Sequence, residues 1–407
     1  MAKRIGVLTA GGDAPGLNVC LKAIVYNAID RGFEVVGIRK GWEGLLHYDP
    51  RNPDTHAANA MIMTKSRIRD IDRTSGSFLH SSRLNPHEVD PKDLPSFLEH
   101  VAQGDQPVDT TDHVQRALEM LELEALVVLG DNAALHYAAH LSGTGVPLVG
   151  IPKTVHNDVN GSDYSLGFST ALGRGVRFVH EVRAMAGSRE EIAVVEILGR
   201  STGLVTLMTA LLASSDRALI PEVSFDPERL ASLLVNDQKA NPNNYAILTM
   251  SEAATVAPEK ALAYVPELNR LAKQSLAGHM LAAKTLEEGE CYTVAMGSRV
   301  SGTGAMVTEI LESITGQRFI FQPLSLLIRT AIPDGQDLIG AVNFAIMAVK
   351  LVAAGKTGRL TAYRQLENYI DLPIETVFEP GGNIDVAEHY DATTYSPKPS
   401  IMWASRI

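Results

Sequence analysis

A chain of 407 residues with 45% hydrophobic and 20% charged side chains can bury a sizeable core and divides most naturally into two domains, which excludes a disordered or fibrous polymer. Its formal charge of -11 gives no general attraction to nucleic acid or to an anionic membrane, so a phosphate-bearing ligand must be held by locally placed cations. Cys20 and Cys291, the two cysteines, are too far apart in sequence to form a metal cluster or a disulfide framework; with no apolar signal core after Lys3-Arg4 and no run of about 18 apolar residues, the expected location is the cytoplasm.

In chain order, short β-rich runs alternate with longer segments of helical period, the pattern of parallel sheets with crossover helices. Ile5–Leu8 and Val35–Ile38 read as buried strands. Between them Leu21, Ile24, Val25, Ala28 and Ile29 make one face of a helix over Asn18–Arg31, with Asn18 as its N-cap and Gly32 as its terminator. The polar stretch Pro86–Thr111 reads as a surface insertion. Strands follow at Leu126–Leu129 and Pro147–Ile151. A second series begins at strand Ile192–Ile197 and continues with a helix from Gly203, strands at Ala218–Ile220 and Tyr245–Met250, a long helix within Glu259–Glu287 and a strand at Tyr292–Met296. From Glu379 the tail is polar and is assigned no regular structure.

Ligands of open α/β sheets bind beyond the carboxyl ends of the strands, which directs attention to three loops. Thr9–Asn18 is a glycine-rich turn between strand and helix. Such glycines let a phosphate approach the backbone and the N–H groups of a helix N-terminus, although turn geometry alone can also demand them. Asp131 follows the strand ending at Leu129-Gly130; a carboxylate there suits Mg²⁺, or it caps the next helix. The loop Ile151–Asp158 crowds Lys153, Thr154, His156 and Asp158 together, more polar chemistry than a plain connection requires.

In these ordered motifs the chain resembles the phosphofructokinases, ATP-dependent and pyrophosphate-dependent alike. Arg4–Asn18, Gly76–Arg83, Gly130-Asp131, Ile151–Asp158, Gly167-Phe168, Glu196–Arg200 and Pro221-Glu222 match in order and spacing. The resemblance implies an α/β fold: two Rossmann-like three-layer domains with mostly parallel sheets and the active site in the cleft between them. Residues 1–167 with about 310–365 would bind the donor, and 168–309 with about 366–407 the acceptor. It also implies Mg²⁺ held by Asp131, and a homodimer or homotetramer.

On the donor side the resemblance picks out Gly12, Arg83, Asp131, Asn132 and Lys153. Asn132 narrows the space that glycine leaves for a nucleotide in ATP users, and Lys153 brings an ammonium to a terminal phosphate, so pyrophosphate is expected in preference to ATP. On the acceptor side it implies contacts from Thr154, Gly199, Arg200 and Glu222, with Thr154, His156, Asp158 and Arg200 as the catalytic set. Here the chain departs from the family. His156 replaces the aspartate base, and a neutral imidazole can serve as a base near neutral pH. Glu191 replaces an arginine that a neighbouring subunit lends to the 6-phosphate of fructose 6-phosphate. Val300-Ser301-Gly302-Thr303 stands for a Gln-Arg-Gly-Gly stretch, and Ile310 for a later arginine. Loss of three cations points to a sugar, cyclitol or polyol acceptor without a terminal phosphate rather than a sugar phosphate. Two alternatives stay open: an ordinary pyrophosphate-dependent 6-phosphofructokinase whose arginines come from elsewhere, and a catalytically silent homologue with a regulatory or scaffolding role.

Overall fold

The computed structural model describes residues 3–102, 104–199, 202–257, 260, 303–324, 326–379 and 384–399. Its strands are β1 (Arg4–Ala10), β2 (Glu34–Ile38), β3 (Ala60–Met63), β4 (Ala125–Gly130), β5 (Leu148–Pro152), β6 (Ile192–Ile197), β7 (Arg217–Leu219), β8 (Ala246–Ser251), β9 (Phe319–Pro323), β10 (Arg359–Arg364) and β11 (Asn368–Pro373). The helices that matter below are α1 (Leu17–Asp30), α2 (Asn132–Gly143), α3 (Phe168–Arg189), α4 (Leu204–Leu212), α5 (Pro227–Ala240), α6 (Thr303–Thr315) and α7 (Gly335–Ala353). Two compact units form, Met1–Thr170 with Arg329–Gly382, and Ala171–Ile328 with Asn383–Ile407. The sequence places the crossings near 167, 310 and 365; the backbone changes unit after 170, 328 and 382.

The first unit carries a seven-stranded sheet in the order β11-β10-β5-β4-β1-β2-β3. Its inner pairs are parallel and both edges are antiparallel. β4 and β5 are buried along their whole length, as expected of parallel strands covered on both faces. From β1 the chain runs outward to β2 on one side while β4 pairs on the other, so the sheet has its topological switch point between β1 and β4, where a ligand crevice is expected. The register pairs Ala10 with Gly130 and Gly130 with Pro152. Gly11, Asp131 and Lys153, the next residue along each strand, therefore emerge side by side.

α1 buries Leu17, Leu21, Ile24, Val25 and Ala28 and packs against α7. By length and composition α7 could cross a bilayer, yet Phe344, Ala345, Ala348 and Val349 are fully buried in the protein, as in a core helix. The helix starts one residue earlier than the sequence suggests. Gly16, left-handed at φ 82°, stands at the N-cap. Asn18 lies inside the first turn and instead accepts from the Phe78 N–H at 2.8 Å and donates to the Thr74 carbonyl at 3.0 Å. It staples the glycine-rich turn to the 74–78 loop. The Pro86–Thr111 insertion closes over a small apolar cluster of Leu46, Val89, Leu94 and Leu98.

The second unit carries a parallel four-stranded sheet, β7-β8-β6-β9, with α5 and α6 packed together. The Glu259–Glu287 helix and the Tyr292–Met296 strand lie outside the described residues. Residues 384–399 of the tail are more ordered than their composition suggests. Tyr390 Oη donates to the Ala218 carbonyl at 2.6 Å, and the Ala218 N–H to the Tyr395 carbonyl at 2.8 Å, extending hydrogen bonding beyond β7.

Candidate active site

The turn after β1 is shaped for close approach. Gly11 sits at φ 85°, and a Cβ there would fall inside the Asp131 carboxylate, so only glycine fits. The Gly12 N–H donates to Asp131 Oδ2 at 3.1 Å. A Cβ on Gly12 would come within 2.8 Å of Arg329 Nη1 and 3.1 Å of Arg83 Nη2, so two guanidinium groups flank the bare backbone. The 74–83 loop is laced to this turn: Gly11 N–H to the Ser82 carbonyl at 2.8 Å, Ser81 Oγ to the Gly11 carbonyl at 2.6 Å, and Thr9 Oγ1 to the His80 carbonyl at 2.8 Å. Between the two loops lies a cleft of about 930 Å³ bordered by Gly12, Asp13, Arg39, Ser77, His80 and Arg83, within the size range of small-molecule sites.

Asp131 fills one of the two roles left open by the sequence, the cap, and also ties the glycine turn. Its Oδ1 accepts from the Ala134 N–H at 3.2 Å, capping α2, while Oδ2 holds Gly12. Nearby oxygens fit a hard cation. Asn132 Oδ1 and Asp158 Oδ1 are buried and have no hydrogen-bond partner. The Asp158 carboxyl is pushed above the usual carboxylate range, chiefly by burial and further by the Asp131 charge, against the opposing Thr154 hydrogen bond and the Arg329 charge. Two carboxylates and an amide oxygen beside a phosphate loop are the ligand chemistry of Mg²⁺.

Lys153 differs from its sequence-based role. Its side chain is fully buried, and Nζ donates to the Ala10 and Gly12 carbonyls at 2.7 and 2.6 Å. Burial lowers its pKa to about 8, with the Asp131 charge opposing. The ammonium lies beneath the loop and braces it, rather than projecting towards a terminal phosphate. His156 is buried; its backbone N–H donates to Thr154 Oγ1 at 3.1 Å, and Thr154 in turn hydrogen-bonds Asp158. The ring meets Arg329 Nη2 at 3.0 Å through Nε2. A guanidinium can only donate, so Nε2 is the acceptor and the imidazole is neutral with its proton on Nδ1.

Arg329 is the residue that sequence reasoning missed. It is buried, at 7% exposure, and its Nη1 also donates to the Asp13 carbonyl at 3.3 Å. A lone charge in the otherwise uncharged run Leu324–Ile332, just before the Pro333-Asp334 cap of α7, is the signal that could have found it. The family resemblance points instead to positions 300–303 and 310 for the lost arginines. Of these, Val300, Ser301 and Gly302 lie outside the described residues, whereas Ile310 is a buried core residue of α6.

In the second unit, Gly199 follows β6, and its carbonyl accepts from Ser251 Oγ at 2.6 Å. Glu222 accepts from the Gly203 N–H through both oxygens, at 2.9 and 3.2 Å, placing its charge at the N-terminus of α4. Arg200 lies outside the described residues. Glu191 is at the other end of β6, in an ion pair with Arg189 at 3.6 Å. Six strand residues span about 20 Å, so within one chain Glu191 does not join Gly199 and Glu222. A further buried acid appears on β6: Glu196 is fully buried, its Oε2 accepts from the Gly304 N–H at 2.6 Å and its Oε1 has no hydrogen-bond partner. Burial pushes its pKa up to about 7.

Comparison with known proteins gives a consistent result. The phosphofructokinase family model matches residues 4–352. The chain is 30% identical over 400 residues to a pyrophosphate–fructose 6-phosphate 1-phosphotransferase of Dictyoglomus thermophilum, covering 97% of this chain and 99% of that protein. It is 32% identical over 398 residues to an ATP-dependent 6-phosphofructokinase of Streptococcus pyogenes, covering 97% and 95%. Among solved structures, the pyrophosphate-dependent phosphofructokinase of Marinobacter aquaeolei shares the fold with a TM-score of 0.70 at 15% identity, over 98% of this chain and 89% of that one. The phosphofructokinase of Saccharomyces cerevisiae does so with a TM-score of 0.65 at 21% identity, over 92% of this chain but 45% of that longer one. The chain is therefore a member of the phosphofructokinase family of phosphotransferases.

Proposed function

We propose that the protein transfers a phosphoryl group from pyrophosphate, or from ATP, to a hydroxyl of a sugar phosphate of the fructose 6-phosphate class, with Mg²⁺. The observation that carries this reading is the buried Arg329 guanidinium between Gly12 and His156. It offers a cation at the point of phosphoryl transfer, and the relatives named as phosphofructokinases favour the ordinary phosphofructokinase alternative over an unphosphorylated polyol. Glu191 lends the polyol reading no support, since its charge is paired with Arg189.

In this reading Gly11, Gly12 and Arg83 hold the donor, with the loop braced from below by Lys153. Bound Mg²⁺, held by Asp131 with Asn132 and Asp158, would neutralise donor phosphate charge. His156 starts as a neutral ring whose Nε2 lone pair is engaged by Arg329. A phosphate that draws the guanidinium away frees that lone pair to take the proton of the acceptor hydroxyl. The hydroxyl oxygen then bonds to the transferred phosphorus as the donor's bridging P–O bond breaks, and the leaving group departs with that electron pair. Thr154 fixes the His156 backbone. Gly199, Arg200 and Glu222 would supply acceptor contacts, and the family resemblance supports a cytoplasmic homodimer or homotetramer.

Initial rates with each pairing of pyrophosphate or ATP with fructose 6-phosphate or unphosphorylated polyols, with and without Mg²⁺, test the proposal. Mg²⁺-dependent turnover of fructose 6-phosphate with pyrophosphate is expected. Turnover of polyols alone would restore the altered-acceptor reading, and donor binding without any transfer would favour the silent homologue.

A further inference from the structure

We propose that His87, Asp109 and His140 form a second metal site, selective for Zn²⁺ or a similar first-row transition ion, which fastens the Pro86–Thr111 insertion to the end of α2. The three residues are exposed, and their ligand atoms all lie within 4.8 Å of one another. They come from three separate places in the chain: the start of the insertion, its end, and the last turn of α2.

The cluster is held in place before any ion arrives. Val89 and Val108 form an antiparallel bridge, and Thr110 donates to the Pro86 carbonyl through both its N–H, at 2.8 Å, and its Oγ1, at 2.9 Å. These ties set His87 opposite Asp109, with Nδ1 and Oδ2 2.9 Å apart. The other Asp109 oxygen accepts from the Thr111 N–H at 2.9 Å, which orients the carboxylate. The His140 ring lies 4.7 Å from that of His87, tilted by 48°, and among the described residues no group hydrogen-bonds its ring nitrogens. Tetrahedral coordination at about 2.0–2.1 Å puts ligand atoms about 3.3 Å apart, so small ring rotations complete the set.

Two imidazoles and one carboxylate suit zinc-like ions, whereas Mg²⁺ takes oxygen ligands and avoids such a set. With three protein ligands, water fills the fourth position. The place is also favourable for charge, since the carboxyl end of a helix carries negative potential. The same helix is capped at its other end by Asp131, so the ion would brace the segment that carries the donor loop.

The test is Zn²⁺ titration by calorimetry on the full chain in excess Mg²⁺, which keeps the oxygen site near Asp131 from reporting. Co²⁺ titration adds a readout, since tetrahedral Co²⁺ has strong visible absorption. One Zn²⁺ per chain is expected, with affinity at least tenfold weaker in His140→Ala and in Asp109→Asn and unchanged in His100→Ala, an exposed histidine outside the cluster. Zn²⁺ should also raise the melting temperature of the wild type but not that of His140→Ala. Absence of binding, or equal binding by the wild type and both cluster variants, would overturn the site.

Discussion

At the scale of single residues, the proposed donor site depends on backbone that side chains cannot be allowed to cover. Gly11 and Gly32 both have left-handed backbone, at φ 85° and 84°, but a Cβ on Gly32 meets nothing within 4 Å whereas one on Gly11 strikes Asp131. Both alanine variants carry the conformational cost, of about 1 kcal/mol. Gly11→Ala alone should also displace the Asp131 carboxylate. It is expected to lower pyrophosphate affinity by at least tenfold in calorimetry, while Gly32→Ala binds normally; equal affinities would detach the turn from donor binding. Lys153 shows why a residue's type is easier to read than its role. A lysine in a polar strand-end loop suggests a ligand contact, and nothing in the sequence reveals that Ala10 and Gly12 present their carbonyls to it. Arg329 is the converse, a functional candidate hidden because it is distant in sequence from every motif around it.

At the scale of elements, Glu196 ties β6 to the first turn of α6 at the cost of burying a carboxyl. Its pKa is near 7 in the folded chain against an ordinary 4.5. Between those values the folded state holds a proton that the unfolded state has released, so stability falls as pH rises through this window. The full effect approaches about 3 kcal/mol. Glu196→Gln should therefore be more stable than the wild type at pH 8, with the advantage shrinking towards pH 5 in denaturant melts. An advantage that stays constant with pH would show that Glu196 does not titrate in this range. The strands and helices themselves were largely legible because their apolar periodicity is strong: the limits of β6 coincide with the sequence reading, and α1 is displaced by one residue at each end. The N-cap of α1 was not, because Asn18 is a favoured capping type whose amide is taken by the 74–78 loop, a contact set by tertiary structure.

At the scale of the whole molecule, the chain leaves the first unit after residue 170 and returns at Arg329 to complete it. That return supplies α7, which packs on α1, and β10, which pairs with β5. Asp337 of α7 also accepts from the Gly167 and Thr170 N–H groups, at 2.7 and 2.9 Å. A fragment of residues 1–170 should therefore lack cooperative unfolding by circular dichroism; a cooperative transition would show that the first unit does not need its returning segment. This interleaving explains why the family and its two-part plan could be read from ordered motifs while the cation beside His156 could not.

The most direct test of the central claim, that Arg329 supplies the cation at the point of phosphoryl transfer, is kcat/KM for fructose 6-phosphate with pyrophosphate in Arg329→Ala. Loss of a charge-assisted hydrogen bond of about 1.5–3 kcal/mol corresponds to a fall of roughly 10- to 150-fold. Arg329→Gln, which keeps a donor for the Asp13 carbonyl, should fall similarly while melting close to the wild type, which separates the loss of charge from the loss of fold. Both variants turning over fructose 6-phosphate as the wild type does would contradict the account.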